Sequence, residues 1–165
     1  MALKIALKPH ERLILGGAVV TNGDSRAEFV VENQVPILRE KDILGAAEAT
    51  TPCRRLYFVV QLMYLDDKDL TAHQRRYWTL VHELVAAAPS TLDLIDRMSR
   101  EILGGRYFRA LKVARKLIAY EEELIAHARG TPGSLSRRSE EPELGPRAGG
   151  HRPHQGRPQA QRVSE

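Results

Sequence analysis

Leu3, Ile5 and Leu7 alternate with Lys4, Ala6 and Lys8 at the start of the chain, the two-residue period of a strand that turns one face to a core. Pro9 ends that run. Leu13 to Val20 is a second apolar run and holds Gly16-Gly17, and Thr21-Asn22-Gly23-Asp24 behind it has the composition of a hairpin turn. Ala27 to Val31 predicts a third strand and Val35 to Leu38 a fourth. Pro36 assigns the fourth to an edge or a bulge, because proline brings no N–H to a ladder. A small antiparallel meander over roughly the first 45 residues is expected.

Tyr57 to Leu65 is a longer apolar stretch. Its β-branched and aromatic start favours a strand, although its length leaves a helix open; strand is the expectation. The period then becomes 3.6. A helix from Thr71 places Trp78, Val81, Val85 and Ala88 on one side and stops before Pro89. Ser90 with Asp93 forms an acidic capping-box pattern for a second helix, whose buried stripe is Leu92, Ile95, Met98 and Ile102 and which Gly104-Gly105 closes. A third helix, about Arg106 to His127, carries Tyr107, Leu111, Ala114, Ile118 and Ile125 on one face and Arg109, Lys112 and Lys116 on the other. Glu121-Glu122-Glu123 near its end opposes the helix dipole. These glutamates are expected to pair with Lys112 and Lys116 or with another chain. From Gly130 the composition turns to Gly, Pro, Ser, Arg, His and Gln, too poor in apolar groups to offset ordering entropy. The pattern therefore predicts an α+β protein: residues 1–66 an antiparallel β-rich region, 67–129 about three helices, and 130–165 a disordered tail.

Composition narrows the function. A hydrophobic share of 42% supports a core, and 5% aromatics make it one of Leu, Val, Ile and Ala. Cys53 is the only cysteine, so no intrachain disulfide forms. Together with an N-terminus that lacks a signal-type apolar run and the absence of any stretch long enough for a membrane helix, this predicts a cytoplasmic protein without a membrane partner. A net charge of +4 permits contact with phosphate without demanding it.

Chemistry-bearing patterns are sparse. Gly16-Gly17 lacks the spacing of a phosphate loop and reads as a turn, a bulge or a close strand contact. Asp66-Asp67-Lys68-Asp69 lacks the glycine and closing glutamate of a calcium loop and reads as helix-start charge. His73 and His82 do not share a helix face, and His151 and His154 lie in the tail, so no metal or other cofactor is expected. No nucleophile has a base at a catalytic spacing, which predicts a protein that is not an enzyme. The basic residues are more informative. Arg39 and Lys41 flank Glu40 after the fourth strand, and Arg54-Arg55 precede Tyr57-Phe58. On neighbouring strand ends these clusters would set guanidinium groups beside aromatic rings, as RNA contacts require. Equally, Arg54 and Arg55 pair with local acids and Tyr57 and Phe58 belong to the core.

Specific strings carry a family resemblance. Leu7-Lys8-Pro9 with Glu11-Arg12, Gly17-Ala18-Val19-Val20 with Asn22-Gly23, Leu38-Arg39-Glu40-Lys41-Asp42-Ile43, Thr50-Thr51-Pro52 with Arg54, Met63-Tyr64-Leu65-Asp66, and Arg115-Lys116-Leu117-Ile118 follow one another in an order and spacing that resemble the FlbT family over residues 2 to about 126. The resemblance implies an alphaproteobacterial post-transcriptional repressor of flagellum biogenesis that associates with the 5′ untranslated leader of flagellin mRNA and promotes its decay. It also implies FlaF as the antagonist. Leu38 to Ile43 is further similar to the strand-ending His-Arg-Glu-Glu-Ile string of the CsrA translational repressors, an analogy that singles out Arg39. On clustering and family role together, Lys8, Arg12, Arg39, Lys41, Arg54 and Arg55 are the expected RNA contacts. The competing class is an interaction protein acting on mRNA through flagellin or FlaF, with Arg109, Lys112 and Lys116 docking an acidic partner.

Overall fold

The computed structural model describes residues 2–66 and 68–130, which belong to one compact unit. Five strands come first, β1 (Leu3–Leu7), β2 (Arg12–Leu15), β3 (Ala18–Thr21), β4 (Ala27–Val31) and β5 (Ile37–Arg39). Four helices follow, α1 (Pro52–Leu65), α2 (Leu70–Ala87), α3 (Leu92–Leu103) and α4 (Tyr107–Gly130). The α+β class expected from the sequence is the one observed. Apart from Gly130, the expected tail lies outside the described residues.

β1 pairs with β4, Ile5 opposite Phe29, and β2 lies between β3 and β5, with Ile14 opposite both Val19 and Leu38; all pairings are antiparallel. The apolar run Leu13 to Val20 is two strands rather than one. Gly16 and Gly17 stand at φ +56° and +87°, the positive-φ pair that a two-residue hairpin turn needs and that glycine adopts without strain. The hairpin turn is thus Gly16-Gly17, and Thr21-Asn22-Gly23-Asp24 instead leads from β3 to β4, which do not pair. β5 is an edge strand, and Pro36 sits just ahead of it.

Alternation along β2 explains how strands and helices join. Leu13 enters one core with Ile5, Leu7 and Val31, while its neighbour Ile14 turns to the opposite side and joins the helical core beside Leu38. β2 is therefore packed on both faces, while Val19 on β3, opposite Ile14, stays exposed.

Tyr57–Leu65, expected as a strand, is helical. Thr51 caps α1 by accepting the Arg54 N–H at 3.3 Å and Pro52 occupies its first turn, so the helical part begins at Pro52 rather than at residue 67. Cys53, Leu56, Tyr57, Val59, Val60 and Met63 are all buried, because α1 packs against both α2 and α4. Burial on this wide helical face overrides the strand preference of Tyr57, Val59 and Val60. In α2 the buried residues are Tyr77 and Leu84; Val81, Val85 and Ala88 pack at the margin, and Trp78 stays 45% exposed. The smaller ring is taken into the core because its hydroxyl lies 2.8 Å from that of Ser99, a partner that a buried phenol needs. Burial pushes the Tyr77 hydroxyl up to about 12.

The expected capping box at Ser90 does not form. A 3-10 turn, Pro89–Thr91, runs directly into α3 and makes Thr91 the flanking residue, its hydroxyl turned back to the Ala88 carbonyl at 2.7 Å. Leu92 is consequently exposed, whereas Ile95, Met98 and Ile102 are buried as expected. Gly104-Gly105 ends α3 as foreseen. Gly105 at φ +70° donates to Ile102 O and Arg106 N–H to Glu101 O, the paired bonds of a left-handed helix stop.

Candidate nucleic-acid interface

A cleft of about 840 Å³ opens between the strands β1 and β5 and the helices α1 and α4. Leu3, Ile5, Ile37, Tyr64, Phe108 and Leu111 supply apolar lining, and Lys4, Arg39, Lys41, Lys112, Arg115 and Lys116 contribute six cationic side chains against one lining carboxylate, Asp42. Helical spacing accounts for the α4 contribution, since Phe108, Lys112, Arg115 and Lys116 fall on one side at offsets of four, seven and eight.

Arg115 organises this site. Its guanidinium lies 2.7 Å from the Asp42 carboxylate and donates to the Lys41 carbonyl at 3.0 Å and the Tyr57 hydroxyl at 3.3 Å. Tyr57 in turn donates to the Asp42 carbonyl at 2.6 Å. The 3-10 turn Glu40–Asp42 is thereby tied to α1 and α4, which fixes where Lys41 stands. Burial pushes the Tyr57 hydroxyl above its ordinary pKa, with the Arg115 charge working against it, so the phenol stays a neutral donor. Nearby, the Ile37 N–H donates to the Tyr64 hydroxyl at 3.1 Å, and the Tyr64 ring stands 5.7 Å from that of Phe108. Lys112 Nζ lies 5.0 Å from the Phe108 ring centre.

The sequence-predicted contacts divide. Lys8, Arg39 and Lys41 come together: all three line a shallow depression at the β1–β2 turn that shares Arg39 and Lys41 with the cleft. Arg39 is held there, 2.9 Å from the Glu11 carboxylate and donating to the Ala6 carbonyl at 2.9 Å. The Lys8 backbone N–H on Glu11, reinforced by Arg39, keeps that carboxyl below its ordinary range. Arg12 lies outside the cleft, paired with Glu40 at 3.2 Å. Arg54 and Arg55 sit on the first turns of α1 instead of a strand end, and Arg54 is 3.1 Å from Glu122. Tyr57 is buried, as the alternative reading of that cluster had it. Lys4, Arg115 and Phe108 were not among the expected contacts, Arg115 being named only within a family string. Lys112 and Lys116 were singled out, but as a separate helical face with Arg109, which does not line the cleft.

Glu121 and Glu122 pair with neither Lys112 nor Lys116. Glu121 accepts from the Thr51 hydroxyl at 2.5 Å and the Cys53 N–H at 3.2 Å, placing a carboxylate at the positive end of α1. The charge order that opposes the dipole of α4 serves the dipole of α1. Burial, and then Glu121, push the Cys53 thiol up to about 12, which leaves it protonated and a poor nucleophile. Among the described residues, no three His, Cys, Asp or Glu side chains converge as a metal site would require, and no helix is long and apolar enough to cross a membrane.

Comparison with known proteins gives a consistent answer. Residues 3–125 match the family model for flagellar protein FlbT. The chain is 50% identical over 125 residues to the probable flagellum biosynthesis repressor protein FlbT 1 of Bradyrhizobium diazoefficiens, covering 75% of this chain and 85% of that one. It is 45% identical over 126 residues to the corresponding protein of Rhodopseudomonas palustris strain TIE-1, covering 76% and 99%. It is also 40% identical over 129 residues to the flagellum biosynthesis repressor protein FlbT of Caulobacter vibrioides, covering 77% and 92%. No solved structure matches. With the matched span taking in every strand, α1 to α3 and most of α4, the chain belongs to the FlbT family of flagellar proteins.

Proposed function

We propose that this protein represses flagellum biosynthesis after transcription, in the cytoplasm, by binding the 5′ untranslated leader of flagellin mRNA in the cleft between β1, β5 and α4 and committing the message to decay. The repressor role follows the names of its relatives. One observation carries the RNA reading: Lys41, Lys112 and Lys116 converge on the cleft with no carboxylate paired to any of them among the described residues. Unpaired cations release counterions on meeting phosphate, whereas a cation already in an ion pair must first give up its partner.

Binding of the purified protein to leader RNA, against a scrambled RNA and across a salt series, tests this. Selective binding is expected, and Lys41→Ala/Lys112→Ala/Lys116→Ala should lower the slope of log affinity against log salt by about 2, at about 0.7 per phosphate contact on a single strand. Equal weak binding to both RNAs rejects it. The apolar lining, Leu3, Ile5, Ile37 and Leu111 above all, favours a second reading in which the cleft takes a segment of flagellin or of FlaF. Stable copurification with either protein, without RNA, is the outcome that reading requires.

A further inference from the structure

We propose that the cleft receives an unpaired nucleobase against the ring of Phe108, so that the RNA is single-stranded where it meets the protein; this rests on the RNA reading above. Phe108 is 41% exposed on the first turn of α4, facing a cleft and not the core. Its setting distinguishes it from a scattered surface apolar residue. Lys112 stands over the ring, Lys116 lies one turn further along α4, and Lys41 lines the same cleft. Ring and cations in one groove are what sequence-tolerant single-strand sites combine, the ring taking a base and the cations the backbone on either side.

The platform also has a neighbour in Tyr64. Tyr64, tilted 43° to Phe108, is anchored through its hydroxyl to the Ile37 N–H, so it supports Phe108 from beside and hinders its collapse onto the floor. Lys112 lies over the ring on a four-carbon stem, and a base that displaces it leaves the ammonium within reach of phosphate. Among the described residues β1 pairs with β4 alone and Leu3 to Ala6 line the cleft, where the Ala6 carbonyl is taken by Arg39. A duplex keeps its bases stacked and paired and offers Phe108 no base face.

Fluorescence anisotropy with three labelled probes tests this: oligoadenylate, a ribose-phosphate strand of equal length without bases, and the oligoadenylate–oligouridylate duplex. The proteins are the full chain, Phe108→Ala and Phe108→Trp, with folding checked by circular dichroism. Phe108→Ala should weaken oligoadenylate binding about five- to 150-fold, the span for loss of one stacked base, with an unchanged salt slope. Phe108→Trp should retain it, and the baseless strand should bind the full chain no better than oligoadenylate binds Phe108→Ala. Unchanged affinity in Phe108→Ala, a baseless strand bound like the intact one, or a preference for duplex overturns the stacking proposal and leaves the cationic RNA site standing. Binding to none of the probes and not to leader RNA overturns both.

Discussion

Three arginines at turns and helix ends and three of the four lysines lining the cleft carry the same charge in opposite circumstances; the fourth, Lys4, lies 3.4 Å from Glu28. Arg12, Arg39 and Arg54 each lie within 3.2 Å of a carboxylate, that of Glu40, Glu11 and Glu122 respectively. Lys41, Lys112 and Lys116 have no such partner among the described residues and face a common space. The paired set locks turns and helix ends together; the unpaired set is available to a polyanion. Availability of charge is therefore a property of where the carboxylates fold, and it does not follow from how densely arginine occurs along the chain.

The strongest break of this comparison is the triple lysine substitution, expected to remove about 2 from the salt slope of RNA binding while lowering urea stability by no more than the about 0.5–1 kcal/mol of the Lys112–Phe108 contact, since these side chains support no ion pair. Arg115→Ala should act in the other sense, through structure. Losing the contacts to Asp42, the Lys41 carbonyl and Tyr57 is expected to cost about 1–2 kcal/mol in urea unfolding, reduced by partial exposure of the guanidinium, and to weaken RNA binding only as far as Lys41 is displaced.

Glu11→Gln sharpens the contrast by turning a paired arginine into a free one. Arg39 would then add up to about 0.7 to the salt slope. The same variant has a pH signature. The folded carboxyl of Glu11 lies below its ordinary value of 4.5, chiefly because of the Lys8 N–H. Its stabilising contribution is present above about that pH and is lost as pH falls through the lowered folded value. Urea midpoints of wild type and Glu11→Gln should thus converge on acidification below about pH 4.5. The smallest effect is expected of Arg12→Ala/Arg54→Ala. Exposed pairs are worth roughly 0–1 kcal/mol each, and leader binding should be unaltered within error; a large loss would show that the paired arginines reach the RNA after all.

Local patterns read well where one interaction dominated. Alternation at Leu3 to Leu7, the proline before β5 and the two glycines after α3 each depend on backbone rules that act over a few residues. Reading failed where two neighbours competed. The Tyr57–Leu65 strand preference lost to burial between α2 and α4, and the buried ring of α2 became Tyr77 and not Trp78 because Ser99, on another helix, was there to meet its hydroxyl. In the site, Lys8, Arg39 and Lys41 were legible from clustering, and Lys112 and Lys116 from helical spacing. Their joining was not, since β5 begins about 30 positions after β1 ends, and α4 begins about 70 positions after β5 and about 100 after β1.

By itself the sequence determined the family, the α+β class and the order of most elements, because turn residues, periodicity and short motifs are written in adjacent positions. The tertiary structure alone decided which charges are spent and which are free. Glu121 reaches the start of α1 from α4, Glu11 reaches Arg39 from the turn before β2, and Phe108 stays partly exposed under Lys112. Each of these depends on the distance between chain segments remote in sequence, which long-range packing sets and local patterning does not.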